Sequence, residues 1–274
     1  GDALVSHPAI KAITFTGSGE TGRRIAAAAI GNMPRMQMEM GSKNALVVMD
    51  DADIDLAVTC AANGAFGGTG QKCTASSRLI VHDAVHDEFV EKLVEATRAM
   101  TVGHALEEGT QIGPVVSEVQ LAANLDYMDI ARTEGGEVLC GGDRLTLSHN
   151  GYYMAPAVIA GTGNDWRINR EEMFAPIACV IRAGSYDEAL AISNDTDFGL
   201  TAGIMTRSLA RAGDFRRHAE TGVVMVNLPT AGTDYHVPFG GRGDSSYGPR
   251  EQGQYAVEFF TSTKTAYIST GPAS

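Results

Sequence analysis

Apolar residues along this chain come in short blocks set between glycine-rich breaks, and the blocks alternate between two periods. Runs at 12–15, 45–49, 78–82, 177–181, 201–206 and 223–227 read as strands, the uninterrupted ones as strands covered on both faces. The run at 12–15 predicts a short buried strand, 153–160 a further one, and 137–140 a short one between two Gly-Gly pairs. Helical spacing marks an alanine-rich segment at 21–29 and further helices at 54–66, 85–100, 117–132, 185–194 and 208–218. One aspartate of Asp50-Asp51-Ala52-Asp53 is placed to cap the helix that starts at Ile54. This strand–helix alternation predicts an α/β fold with a largely parallel sheet flanked by helices. Residues 255–268 are rich in strand formers and predict a last strand without an evident partner in the chain. The expectation is that it pairs across a subunit interface.

Composition narrows the classes of function. A net charge of -12 and the lack of any Lys/Arg cluster argue against a nucleic-acid partner. No apolar run approaches the length that spans a bilayer, so no membrane partner is expected. The 4 cysteines, Cys60, Cys73, Cys140 and Cys179, form no CxxC pair, which argues against a disulfide framework or a zinc site and for a reduced, cytoplasmic setting. The aspartates at 50–53 lack the glycine and distal glutamate of a calcium loop, so no metal is expected.

Three stretches carry candidate chemistry. Phe66-Gly67-Gly68-Thr69-Gly70-Gln71-Lys72-Cys73 sets a cysteine behind a glycine-rich bend and ahead of a strand. Cys73 there is either a catalytic nucleophile or a buried structural thiol. Glu39 lies between Met38 and Met40, where a carboxylate is costly and its pKa raised, as suits a general base; the plainer reading is the exposed side of a half-buried strand. Thr16-Gly17-Ser18-Gly19 joins a strand to a helix, an arrangement that points backbone N–H groups at an anion such as a pyrophosphate, or merely caps the helix through Ser18.

Taken together, Met38-Glu39-Met40-Gly41-Ser42-Lys43-Asn44, Gly70-Gln71-Lys72-Cys73, Glu171-Glu172-Met173-Phe174-Ala175-Pro176 and Pro238-Phe239-Gly240-Gly241 resemble the NAD(P)-dependent aldehyde dehydrogenases. The resemblance runs from about Phe15 to Thr265. It implies an aldehyde dehydrogenase-like catalytic domain over 42–243, a remnant of a Rossmann-like cofactor domain over 1–41, and a return segment with an oligomerisation strand over 244–274. It implies Cys73 as nucleophile and Glu39 as base, with Gly17, Ser18, Gly41, Gln120, Glu172 and Phe174 binding the cofactor. Thr74 and Phe239 would line the substrate pocket. Ser42 stands where the family usually has a second glycine, Ala175 where it has glycine before the proline, and Pro249 interrupts its Gly-Arg-Glu element.

The implied reaction is oxidation of a small-molecule aldehyde through a Cys73 thiohemiacetal and thioester, with hydride passing to NAD or NADP and Glu39 activating the hydrolytic water. A coenzyme-A-acylating relative would not need Glu39. In detail the Cys73 run and the segment 239–253 are most similar to 2-oxoglutarate semialdehyde dehydrogenases. The family's members are much longer, and this chain begins without methionine, so a missing N-terminal half would carry most of the cofactor sheet and an oxyanion-hole asparagine. A folded fragment without dehydrogenase activity, acting as an interaction domain or residual thiol esterase, stays open as the alternative. A homo-oligomer, dimer or tetramer, through the C-terminal strand is the expected assembly.

Overall fold

Alternate residues of the central strands face two different helical layers, and this sets the architecture. A computed structural model of the chain describes residues 1–271. Its main sheet has seven strands, in the spatial order Val223–Val226, Thr201–Met205, Asn44–Val48, Ser76–His82, Ile177–Ala183, Ala157–Ala160, Glu137–Cys140. All neighbours run parallel except the last pair. Leu46, Val48, Leu79 and Val81 pack against helices Ile54–Phe66 and His86–Arg98. Ala45, Val47, Met49 and Ile80 pack on the opposite face against Tyr186–Asn194 and Leu209–His218. Ile177 and Cys179 meet helix Glu118–Thr133 there through Leu121 and Met128. Covered twice, the central strands read as continuous apolar runs.

A second, three-stranded sheet is ordered Ala12–Thr16, Arg35–Glu39, Ser246–Tyr247. The chain therefore passes from one sheet to the other between Glu39 and Asn44, and Ser246–Tyr247 returns to the three-stranded sheet, antiparallel to Met38–Glu39. Helix Gly19–Ala29 follows the first strand, with Ser18 as its cap, accepting from the Thr21 N–H at 3.3 Å. Asp53 caps Ile54–Phe66 as expected, accepting from the Leu56 N–H.

Three expectations are corrected. The strand Ala12–Thr16 forms but is not buried, because it lies at the edge of the small sheet with Thr14 and Thr16 exposed. The predicted strand at 153–160 is two: Tyr153–Met154 pairs with Arg144–Leu145, and Ala157–Ala160 joins the main sheet. Pro156, between them, has no N–H to continue a ladder. The predicted C-terminal strand is instead helix Gly253–Phe260, followed by residues 261–271 without strand pairing in the chain. Helix wins because it buries Phe259, which is 2% exposed and lies under the Arg35 guanidinium. Arg35 also donates to the carbonyls of Glu258 and Thr261 at the helix end, at 3.2 and 2.7 Å. No helix among the described residues is long and apolar enough to cross a membrane.

One fully buried cation ties this frame together. Arg78, 1% exposed, donates to the carbonyls of Lys43, Ile192 and Ser193 and to Asn164 Oδ1, at 2.8–3.0 Å. Ile192 and Ser193 lie in the last turn of helix Tyr186–Asn194, where a cation is favoured. Burial pulls its pKa down to about 10, well within the charged range at neutral pH. Replacing Arg78 by Leu would take this donor from all four acceptors, two of them in fully buried hydrogen bonds, and the expected loss is about 3–5 kcal/mol of unfolding free energy, measured by chemical denaturation.

Candidate active site

The cysteine loop lies between helix Ile54–Phe66 and strand Ser76–His82. Three successive residues, Gly68, Thr69 and Gly70, take left-handed φ of 67°, 62° and 64°. At Gly70 glycine is required twice, since a Cβ would also sit 2.0 Å from the Ala175 carbonyl oxygen. Thr69 has no such licence; it is buried, and its hydroxyl donates to the Gly113 carbonyl at 3.2 Å, which helps hold the strained backbone. Beyond the bend, successive carbonyls are fixed. Asn44 Nδ2 donates to those of Cys73 and Ala75 at 2.8 and 2.9 Å, and Thr230 Oγ1 to that of Thr74 at 2.7 Å. The Cys73 thiol itself is half-buried. Burial, then Glu172 and Glu39, push its pKa above the ordinary thiol value, so it rests as the protonated thiol.

Cys73 opens into a cavity of about 500 Å³, lined also by Gly17, Ser18, Gly41, Gln120, Glu172 and Phe174. The fold thus gathers seven of the ten residues singled out in the sequence. Ser18 caps the helix, and it also lines the cavity. Glu172 is laid over the bare Cα of Gly41, where a Cβ would fall 1.8 Å from Oε2. Its Oε1 accepts from the Ser42 N–H at 3.0 Å. Burial raises the Glu172 pKa, opposed by that hydrogen bond and by Lys43. Phe174 holds a left-handed φ of 53° and is 37% exposed. The Gln120 amide donates to Asn124 Oδ1 and to the Met173 carbonyl, at 2.8 and 3.1 Å.

The other three lie outside that lining. Thr74 and Phe239, expected at the substrate, are buried, 7% exposed each. Phe239 pairs its backbone with Glu251 at 2.9 and 2.7 Å. Glu39 is 2% exposed on strand Arg35–Glu39, not on a solvated face, and Ser246 Oγ donates to its Oε2 at 2.8 Å. Burial pushes its pKa up to about 7; the Ser246 hydrogen bond and Arg250 work against burial, and Glu251 works with it. Four positions further along the same segment, Lys43 is fully buried, and its Nζ has no hydrogen-bond partner among the described residues. Burial pulls the Lys43 pKa down to about 8.

The departures from the family pattern are accommodated. Ser42 uses its hydroxyl to accept from the Leu200 N–H at 3.4 Å. Ala175 is buried and does not need positive φ, which falls on Phe174 instead. The Pro249 carbonyl accepts from Gln37 Nε2 at 3.2 Å. Sequence reading gave no role to Asn44, Thr230 or Ser246. Asn44 stood inside a recognised motif, which was the one available signal; Thr230 and Ser246 act on residues more than 150 positions away. No group of three or more His, Cys, Asp or Glu able to hold a metal occurs among the described residues.

A strained cysteine loop and a cavity walled by a helix N-terminus and the Glu172 carboxylate lie together, with the buried Glu39 carboxylate on the segment that leads into the main sheet. The family model for the aldehyde dehydrogenase family matches residues 1–266, and the chain belongs to that family. It is 40% identical over 270 residues to the alpha-ketoglutaric semialdehyde dehydrogenase of Bacillus subtilis, covering 98% of this chain and 55% of the relative. It is also 40% identical over 273 residues to a betaine aldehyde dehydrogenase of Rhizobium johnstonii, covering 99% and 56%. The crystal structure of the Staphylococcus aureus betaine aldehyde dehydrogenase in complex with NAD+ superposes with a TM-score of 0.91 at 31% identity, over 94% of this chain and 51% of that one. The chain spans about half the length of the curated relatives it matches.

Glu39 makes a prediction about stability. Its carboxyl ionises near pH 7 when folded and near 4.5 when exposed, so folding disfavours the charged form. The protein therefore loses stability as pH rises from about 4.5 through 7, by on the order of 3 kcal/mol in full. Glu39→Gln escapes this loss. The variant should gain on the wild type between pH 4.5 and pH 8, read from denaturation curves at both.

Proposed function

We propose that this chain carries the catalytic part of an NAD(P)-dependent aldehyde dehydrogenase, with Cys73 as nucleophile and Glu39 as general base. The observation that carries this is the cavity in which Cys73, Glu172, Phe174, Gln120, Gly17, Ser18 and Gly41 converge from distant parts of the chain. A nicotinamide dinucleotide fits what lines it. The Ser18-capped helix offers N–H groups for phosphate, and Glu172, fixed over Gly41, offers a carboxylate for a ribose hydroxyl. Phe174 supplies an aromatic wall. When bound, the cofactor supplies the acceptor for the aldehyde's hydride.

The chain's own residues do the rest. The Cys73 sulfur adds to the aldehyde carbon, its proton passing to a base, and the resulting oxyanion faces the backbone N–H of Cys73. Oxidation at that carbon leaves a thioester on Cys73. Glu39, ionised by half near pH 7, takes a proton from a water that attacks the thioester, releasing the acid and restoring the thiol. The frame that holds the Cys73 carbonyl to Asn44 keeps the loop still through both steps.

For substrate, the reading is 2-oxoglutarate semialdehyde, supported by the Bacillus subtilis relative and by the sequence details around Cys73. The equally similar Rhizobium johnstonii relative supports betaine aldehyde as the second reading. The four free cysteines suit a reducing cytoplasm. Val257, Phe260, Tyr267 and Ile268, each more than 60% exposed, suit burial in a homo-oligomer, dimer or tetramer.

Two measurements on the native protein test the assignment. Cys73→Ala should abolish reduction of NAD or NADP with either aldehyde, while retained turnover would remove Cys73 as nucleophile. Glu39→Gln should keep a single-turnover burst of reduced cofactor and lose at least 100-fold in steady turnover, on the order of what a general base contributes.

A further inference from the structure

Glu39 has a partner that the reaction above does not use. Ser246 lies directly opposite it in the antiparallel pairing of Ser246–Tyr247 with Met38–Glu39. Its hydroxyl accepts from the Gly241 N–H at 2.6 Å and donates to Glu39 Oε2 at 2.8 Å. A hydroxyl has a single proton, and a donor behind the oxygen directs that proton forward, here at the carboxylate. Oε1 meets no such tie. It lies against Gly240, where a Cβ would fall 2.8 Å from it and 2.8 Å from Arg250 Nη1. Arg250 is itself engaged with the Gly241 carbonyl. The turn Phe239-Gly240-Gly241 thus grips one carboxylate oxygen through Ser246 and sets the bare Cα of Gly240 beside the other.

We propose that Ser246 is a positioning residue for the base: it tethers Glu39 by Oε2 to the Gly241 backbone and presents Oε1 as the oxygen that takes the proton. The proposal rests on the reading of Glu39 as base. It uses a residue that the family motifs quoted above do not contain. The charged and titratable groups around Glu39 are Arg250 and Glu251 on the return segment and Cys73 on the catalytic loop, and Met38 and Met40 flank it on its own segment. Among them the Ser246 hydrogen bond is the largest influence stabilising the charged carboxylate against burial. The tether therefore sets both where the carboxylate points and the pH at which it ionises.

The test is the hydrolysis of 4-nitrophenyl acetate by the native protein, which needs no cofactor and separates acylation of Cys73 from deacylation. Burst amplitude counts folded sites, so rates read per burst equivalent remain valid for a partly unfolded variant. Ser246→Ala should leave the burst in place and move the acid limb of the deacylation profile up by about one pH unit. With the limb moved from about 7 to about 8, deacylation at pH 7 slows about fivefold. Ser246→Thr, which keeps a hydroxyl, should restore the wild-type limb, whereas a merely structural serine would leave the limb unmoved. If the Ser246→Ala profile overlays the wild type while Glu39→Gln loses the limb, the tether is overturned and the base stands. If Glu39→Gln keeps the wild-type profile, the base assignment falls and the tether with it.

Discussion

The chain crosses once from the small sheet to the large one between Glu39 and Asn44, and nearly everything in the site hangs from that crossing. Each residue in it is buried, and five of the six have a separate duty. Glu39 presents a carboxylate, Gly41 leaves room for the Glu172 carboxylate, and the Ser42 N–H holds that carboxylate in place. The Lys43 carbonyl receives Arg78, and Asn44 fixes the backbone of the cysteine loop. A buried backbone must satisfy its polar groups, and this segment pairs its own with Gly17, Ser245, Glu172 and Arg78, while the Asn44 side chain satisfies carbonyls of the cysteine loop. The thiol and its carboxylates are positioned by the same hydrogen bonds that join the sheets.

Much of this frame is legible in the residues. The doubly covered strands declare themselves as continuous apolar runs, Asn44–Val48 most plainly. Cys73, Glu39, Glu172 and Gly17 stand in short motifs whose glycines mark the close approaches later seen at Gly41 and Gly70. Ser246 and Thr230 are not legible, because a serine in a loop and a threonine after a proline give no local sign of the carboxylate or carbonyl they serve across the fold. The segment at 255–260 misleads for a different reason. Val, Phe and Tyr favour strands on average, yet the burial of a single ring, Phe259, and two hydrogen bonds from Arg35 outweigh that preference.

The cysteine loop and Glu39 are held in contrasting ways. The loop is strained, with three left-handed residues in succession, and its carbonyls are bound on the far side by Asn44 and Thr230. Such a backbone keeps its shape only while those anchors persist, which makes the thiol's position rigid. Glu39 is held by a side chain on a two-residue strand, with the bare Cα of Gly240 beside its other oxygen.

Lys43 gives the crossing an electrical property of its own. Its amine is neutral only above about pH 8, whereas the Glu39 carboxyl is neutral only below about pH 7. Acid discharges one end of the segment and leaves the other charged; alkali does the reverse. The buried span therefore bears a desolvation penalty that titration shifts between a carboxylate and an ammonium four residues away.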